Sequence, residues 1–454
     1  MFASLSAAVH QARRHDDLYF AGLLKAQEIE AALGPASALF RGWIYPPAIT
    51  VWTFLSQCLS PDHSCREAVA RLIAWRVSRG QPACSAETGG YCLARDRLPE
   101  EGCQQLICQT GQQLEAEAPE SWLWHGRRVR VVDGSTITLP DTPENQEEDP
   151  QANTQKPGCG FPIARIVVVF SLAVGSVVAS VMGQYKGKLT GENSLLRTLH
   201  AAFAPRDIVL GDRYFSGWFD IALLAQRGVD VVLRKHHLRR TDFRRGRRLG
   251  ADDHVVNWKK PVRPPWLDAE TYAALPAELL LREVRVHVPQ RGFRTQVVVV
   301  VTTLLDAHEF PKDDLASLYR QRWQAELNLR SLKSVMQMDH LRCLTPHRAR
   351  NEFYIHLLAY NLIRKVMAIA AMEARVRPDQ LSFTGTLQSC TTCLEKLHAH
   401  TDVAAWCEAL IHAVATHDVG NRPDRVEPRV KKRRPKPISS CNSLAQHTKG
   451  FTHE

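Results

Sequence analysis

Apolar positions in residues 1–120 recur at the spacing of amphipathic helices. Residues 48–59 form an apolar stretch after Pro46 and Pro47. Ser64-Cys-Arg-Glu67 opens a helix over 68–77, and Ser85 opens a stretch that ends at Leu98, before Pro99. Arg71, Arg76, Arg95 and Arg97 in this region suit a DNA-binding helical domain and a plain bundle equally well. At Trp122 the pattern changes. Residues 127–133 alternate and deliver Asp133 to a strand end. A loop over 139–157 follows. Residues 163–170 and 173–182 read as two strands, 193–203 as a helix, and 207–212 as a short apolar strand ending in Asp212. A helix over 217–226 and a strand over 229–233 complete the region. Three strands close in sequence and then a strand–helix–strand unit imply a mixed α/β sheet.

Beyond Leu233 the pattern is overrun by charge. Residues 234–266 carry Arg239, Arg240, Arg244, Arg245, Arg247 and Arg248, with Trp258 and Trp266 among them. Strands over 279–288 and 295–303 follow, joined around 289–292. This predicts a β-rich insertion with a basic mouth, and the interleaved tryptophans favour phosphate contact over a merely solvated face. His236 and His237 sit in the same run and are expected to face DNA or serve the fold.

Residues 314–333 lack Pro and Gly and read as one helix. At about 100° per residue, Arg322, Trp323, Glu326, Arg330 and Lys333 all fall within roughly 60° of Tyr319. Leu318, Ala325, Leu329 and Leu332 lie beside that stripe and should face the core. A solvated, salt-bridged face is the ordinary explanation of such a stripe. A phenol and an indole are wasteful there, and one carboxylate among cations suits a site that holds metal and grips phosphate. A long helix over 349–374 and one or two more over 383–417 follow. The tail, 421–454, is rich in Arg, Lys and Pro and is expected to be disordered. The expected divisions are therefore 1–120, 121–234, 235–310, 311–345, 346–420 and 421–454.

Composition changes this picture little. The 454 residues are 44% hydrophobic and 23% charged, as in ordinary globular proteins of two or three domains. Lys plus Arg number 58 against 47 Asp plus Glu, a net +11 that suits a polyanionic partner. The first residues show no secretory pattern, and no uninterrupted apolar run approaches the ~18 residues of a membrane span. A cytoplasmic protein with no membrane association is expected. The twelve Cys read as reduced, buried thiols. Cys390 and Cys393, with Cys407 and His412, are a weak zinc candidate; ordinary packing is the preferred reading.

Two Asp at strand ends and one Glu on a later helix form a coherent chemical set. Gathered carboxylates repel unless cations neutralise them, and hard oxygen ligands suit Mg²⁺ or Mn²⁺. Two such ions about 3.5–4 Å apart serve in-line displacement at phosphorus. The nucleophile would be water or a DNA 3′-hydroxyl.

Asp133-Gly-Ser-Thr, Gly211-Asp212-Arg-Tyr-Phe and the set Tyr319, Arg322, Glu326, Lys333 make the chain resemble the DDE transposases of bacterial insertion sequences, of the IS-four type. Thr142-Pro-Glu-Asn145, Gln155-Lys-Pro-Gly158, Gly160-Phe-Pro-Ile-Ala-Arg165, Thr190-Gly-Glu-Asn193 and His356-Leu-Leu-Ala-Tyr-Asn-Leu362 extend the likeness over most of the chain. The resemblance implies a ribonuclease-H-like catalytic core interrupted by a β-rich insertion, acting on double-stranded DNA at the inverted repeats of its own element. It implies joining of 3′ ends to a target, in some members through a hairpin, within a synaptic homodimer. Carried over, Asp133, Asp212 and Glu326 would bind two Mg²⁺, with Mn²⁺ as a substitute. Tyr319, Arg322 and Lys333 would hold a phosphate, with Arg330 on the same DNA-facing stripe. Trp323 would stack on a displaced base. Glu192 is expected to be first an N-terminal charge on its helix, with an outer role at the metals as the second choice.

Overall fold

A computed structural model describes residues 23–419, apart from 41, 43, 155, 157, 288–296 and 397–402. Among the described residues, five α-helices precede the first strand: α1 (Ala26–Leu33), α2 (Pro47–Leu59), α3 (Cys65–Ser78), α4 (Gly89–Asp96) and α5 (Glu100–Ala116). The Ser64 hydroxyl caps α3 by accepting from the Glu67 amide at 3.0 Å. Val51, Trp52, Phe54 and Leu55 of α2 are buried, as an apolar run without polar interruption requires.

The sheet begins with β1 (Val129–Thr138), β2 (Ile163–Ser171) and β3 (Val177–Gln184), an antiparallel set. β4 (Ile208–Gly211) lies parallel to β1, and β5 (Asp230–Arg234) parallel to β4. The order β3-β2-β1-β4-β5 with this mixture of directions is the ribonuclease-H-like topology. Two short helices, α6 (Pro143–Glu148) and α7 (Glu192–Thr198), and the longer α8 (Trp218–Gln226) join these strands.

Several expectations need correction. The second strand of the β2–β3 pair starts at Val177, not at 173: Gly175 takes a φ of +73° and its amide closes a turn onto the Ser171 carbonyl at 2.8 Å. The 139–157 loop contains α6, which the Thr142 hydroxyl caps at the Asn145 amide. The helix expected over 193–203 is α7 followed by a short 3₁₀ turn, His200–Ala202.

The insertion is a continuation of the core sheet. β6 (Arg247–Gly250), β7 (Asp253–Lys259), β8 (Glu278–His287) and β9 (Val297–Thr302) extend it to nine strands, because β9 pairs antiparallel with β5. A short helix, α9 (Ala269–Ala274), lies between β7 and β8. Neither tryptophan is offered to phosphate as expected. Trp258 is 7% exposed and donates its Nε1–H to Glu283 at 2.9 Å, while Trp266 is half-buried under the Arg197 guanidinium, 3.6 Å from its ring centre. Both tryptophans have found apolar cover, which their size makes more favourable than solvent exposure.

The helix expected over 314–333 is interrupted. α10 (Lys312–Gln321) and α11 (Trp323–Arg330) meet at Arg322, and residues Ser331–Val335 continue as a π-helical turn. Leu318, Ala325, Leu329 and Leu332 are buried, as the stripe required. α12 (Pro346–Glu373) packs beneath the sheet. It is long and apolar enough to cross a membrane, yet 89% of its most apolar window is buried within the protein. Asn361 of α12 accepts from the Val177 amide at 2.7 Å and donates to the Val177 and Ile107 carbonyls, tying helix to sheet and α5. α5 approaches so closely at Gly111 that a side chain there would meet the Val177 carbonyl oxygen at 2.0 Å. α13 (Phe383–Lys396) and α14 (Val403–Ala415) close the helical layer. The basic tail and the 289–292 turn lie outside the described residues.

Candidate active site

β1 outlasts its neighbour. Its parallel pairing with β4 covers only Val129 to Val131, the last partner of Val131 being Leu210. Asp133 and Asp212 each stand two residues past that last pair, so they reach the same level on adjacent strands. Beyond Asp133, β1 has no β4 partner. Its far end is bonded instead to the segment after the π turn, through the Thr138 amide to the Asp339 carbonyl and the Leu341 amide to the Thr138 carbonyl. The gap between the end of β4 and residues 339–341 is a cleft floored by β1.

The α10–α11 junction borders this cleft. Arg322 donates from Nη2 to Oε1 of Glu326 at 2.7 Å and also attracts Asp133. Asp133 is half-buried, and desolvation pushes its carboxyl up to about 6. Arg322 and the Gly134 amide, 3.0 Å from Oδ1, work against that rise; Glu326 and Asp212 add to it by repulsion. The Asp212 carboxylate accepts from the Tyr214 amide at 2.7 Å. Tyr319 is 7% exposed, and burial raises its phenol above the ordinary range against the pull of Arg322 and Arg234. Lys333 bridges the cleft, donating to Ser135 Oγ at 3.0 Å and pairing with Asp339 at 2.9 Å.

Asp133 is thus within electrostatic reach of both Glu326 and Asp212, with Arg322 beside Asp133 and Glu326. As arranged, no three His, Cys, Asp or Glu side chains among the described residues share the reach of one metal ion. In kind, the trio suits a hard divalent cation: the donors are all oxygen, and Asp133 carries a burial and repulsion penalty that a bound cation relieves. Glu192 lies across Gly134, where a side chain would meet its Cδ at 2.4 Å, and it is near enough to Asp212 to be repelled by it. It is also the first residue of α7, the place expected for an N-terminal charge on that helix. Trp323 is half-buried and Arg330 is exposed.

Among the described residues, the insertion arginines make no ion pair with Asp133, Asp212 or Glu326. Arg244 and Arg245 pair with Asp242 while their side chains remain 90% and 85% exposed. Arg240, Arg247 and Arg248 are exposed, whereas Arg239 stacks on Trp258 at 4.1 Å. His236 and His237 stack on each other at 4.5 Å. Cys390 and Cys407 are buried in the helical layer, and the side chain of Cys393 lies outside the described residues. The sequence reading missed Ser135, Arg234 and Asp339. Ser135 stands inside the Asp-Gly-Ser motif and was within reach of it; the other two join the site only through pairing of distant segments.

A family model described as a transposase DDE domain matches residues 124–362. The chain is 28% identical over 367 residues to the transposase InsG for insertion sequence element IS4 of Escherichia coli (strain K12), covering 78% of this chain and 76% of that one. It is 29% identical over 175 residues to the putative transposase InsZ of the same organism, covering 35% of this chain and 58% of that one. Among solved structures, a chain of the piggyBac transposase synaptic complex with hairpin DNA aligns at a TM-score of 0.43 and 10% identity, over 88% of this chain and 85% of that one.

Proposed function

This chain belongs to the DDE transposase family, and we propose that in it Asp133, Asp212 and Glu326 are the carboxylates that bind the catalytic metals. It is a DNA transposase, and divalent metal use and DNA binding come with the family. We assign the metals as two Mg²⁺, replaceable by Mn²⁺, since oxygen-only donors favour hard ions. The DNA is the terminal inverted repeats of the element that encodes the chain, and the 3′ ends are then joined to a target. A homodimer holds the two ends together, in the bacterial cytoplasm.

The observation that carries this reading is the level of Asp133 and Asp212 on adjacent parallel strands, with the Arg322–Glu326 pair facing Asp133. When bound, the metals supply charge to the attacking and leaving oxygens of an in-line displacement. The chain's own residues orient and hold. Tyr319, Arg322 and Lys333 bind the phosphate beside the cut, each already fixed by contacts within the cleft. Arg322 must exchange part of its bond to Glu326 for phosphate, which couples DNA arrival to release of the carboxylate. Trp323 stacks on a displaced base, and Arg330 and the exposed insertion arginines follow the DNA backbone. Glu192 supports the cleft from behind Gly134.

The test is nicking of a duplex carrying the flanking inverted repeat, in Mg²⁺, by the unsubstituted chain and by Asp133→Asn. Nicking confined to the unsubstituted chain and to end-bearing DNA is expected. Binding without nicking would make the chain an end-gripping protein that does not cut. Nicking without regard to ends, and without joining, would make it a nuclease.

A further inference from the structure

Successive residues of β1 point to opposite faces of the sheet. Ser135 faces Lys333, and Gly134 faces Glu192 of α7. Thr136 shares the Gly134 face, and its partner across the antiparallel pair is Arg165. Arg165 therefore sits on the side of the cleft away from Lys333. Its guanidinium stacks on Tyr185 at 4.9 Å, and Nη1 lies 3.9 Å from where a Gly191 side chain would begin. The Tyr214 hydroxyl is 3.6 Å from that same point. Arg165 forms no ion pair among the described residues, although Glu192 is near enough to attract it, and its buried Nε has no hydrogen-bond partner. An arginine oriented by an aromatic face, with no carboxylate in ion-pair contact, is prepared for an anion.

The surroundings say which anion. Tyr185 is 36% and Tyr214 50% exposed, and Lys186 and Lys188 follow Tyr185 in an exposed turn. Exposed aromatics interleaved with cations suit a nucleic-acid strand, with bases on the rings and phosphates on the charges. Tyr214 is also bound through its own amide to the Asp212 carboxylate. This holds the Tyr214 backbone beside the Asp212 carboxylate.

We propose that Arg165, oriented by Tyr185 and beside Tyr214, binds a backbone phosphate of the strand being cut, adjacent to the scissile phosphate and on the opposite side from Lys333. The strand is then held from both faces of the β1 edge. This rests on the reading of Asp133, Asp212 and Glu326 given above.

The experiment uses the full chain, Mg²⁺ and end-bearing duplexes in which single phosphates of either strand are replaced by neutral methylphosphonates, with a second series made in the target DNA. Arg165→Ala is expected to lower cleavage about 10- to 100-fold, the scale of one lost charge-assisted contact, with an unchanged melting temperature. One neutral linkage in the cut strand, within a few nucleotides of the cut, should impair the unsubstituted chain and cost Arg165→Ala nothing further. Arg165→Lys should recover only part of the loss, because it lacks the planar fork. Additive losses at every linkage, or non-additivity found only in the target series, would overturn the proposal. Interference with binding reads the same contact independently of cleavage. A chain that binds but never cuts would refute the reading of the acidic residues and still decide this contact.

Discussion

Arg322 and Glu326 are joined by a 2.7 Å hydrogen bond across the point where α10 gives way to α11. The bond partly offsets the charge of a carboxylate that repels Asp133, and the same guanidinium lowers the cost of burying Asp133. Glu326→Gln keeps the shape and removes the charge. It is expected to lower cleavage by at least about 100-fold, beyond the 10–100-fold typical of an outer metal partner, while end binding in gel shifts stays near that of the parent. A variant that cuts at the parental rate would exclude Glu326 as a metal ligand.

Lys333 is held by Ser135 and Asp339 before any DNA arrives. Its side chain is 22% exposed and that of Asp339 is 41%, so the pair contributes at most about 1 kcal/mol to stability. Lys333→Ala should unfold in urea much as the parent does, yet lose strand joining more than initial end binding, since it removes one phosphate contact among many. Equal losses in both assays would argue against that placement.

The exposed arginines Arg244, Arg245, Arg247 and Arg248 can be replaced by Ala together without opening the core, whereas Arg239 should be kept because it covers Trp258. The slope of log affinity against log salt should flatten by ~0.9 for each phosphate contact removed. An unchanged slope would move the DNA path off the insertion.

Glu283 lies at the root of the insertion with its side chain 3% exposed. It accepts from Lys235 Nζ at 2.6 Å and from Trp258 Nε1 at 2.9 Å, with His254 Nε2 3.4 Å away. Glu283→Ala leaves a buried ammonium unpaired and should cost about 3–5 kcal/mol in urea unfolding. Lys235→Met combined with Glu283→Leu should cost clearly less. Equal losses would show that packing, not charge, governs the site.

His356 is buried beside His63, and burial, reinforced by repulsion from His63 and Arg342, holds its ring down to about 3. The folded value lies below the unfolded 6.5, so the unfolded chain takes up the proton first. As pH falls from 6.5 toward 3, this ring removes stability at up to about 1.4 kcal/mol per pH unit. Asp133 and Asp149, both raised to about 6, act oppositely by favouring the folded state as pH falls below 6. Ring nitrogen shifts separate the contributions: at pH 5 His356 should remain neutral. A protonated His356 at that pH in the folded chain would contradict its burial.

What could be read in the sequence was local and periodic. The 319–333 stripe and the Asp at each strand end needed only spacing, and the structure sets Asp133 and Asp212 level. The break at Arg322 left no trace, because its φ of −50° and ψ of −31° remain helical and only the hydrogen-bond ladder changes. β6 was hidden because it is an edge strand whose Arg247 and Arg248 face solvent, so charge masked its alternation. Trp258 and Trp266 were misread from their charged neighbours along the chain. Their real neighbours, Glu283 and Arg197, come from distant segments. Arg165 carried no periodic signal, since its significance comes from Tyr185 and Gly191 lying across the sheet edge.

The pairing of β9 with β5 has a mechanical consequence. Val232, Leu233 and Arg234 are stitched to Thr302, Val301 and Val300, and Arg234 is also one of the charges felt by Tyr319. A tug on the basic lobe therefore does not swing it on a tether. The pull travels down a stiff ribbon and arrives within the electrostatic range of the Tyr319 phenol.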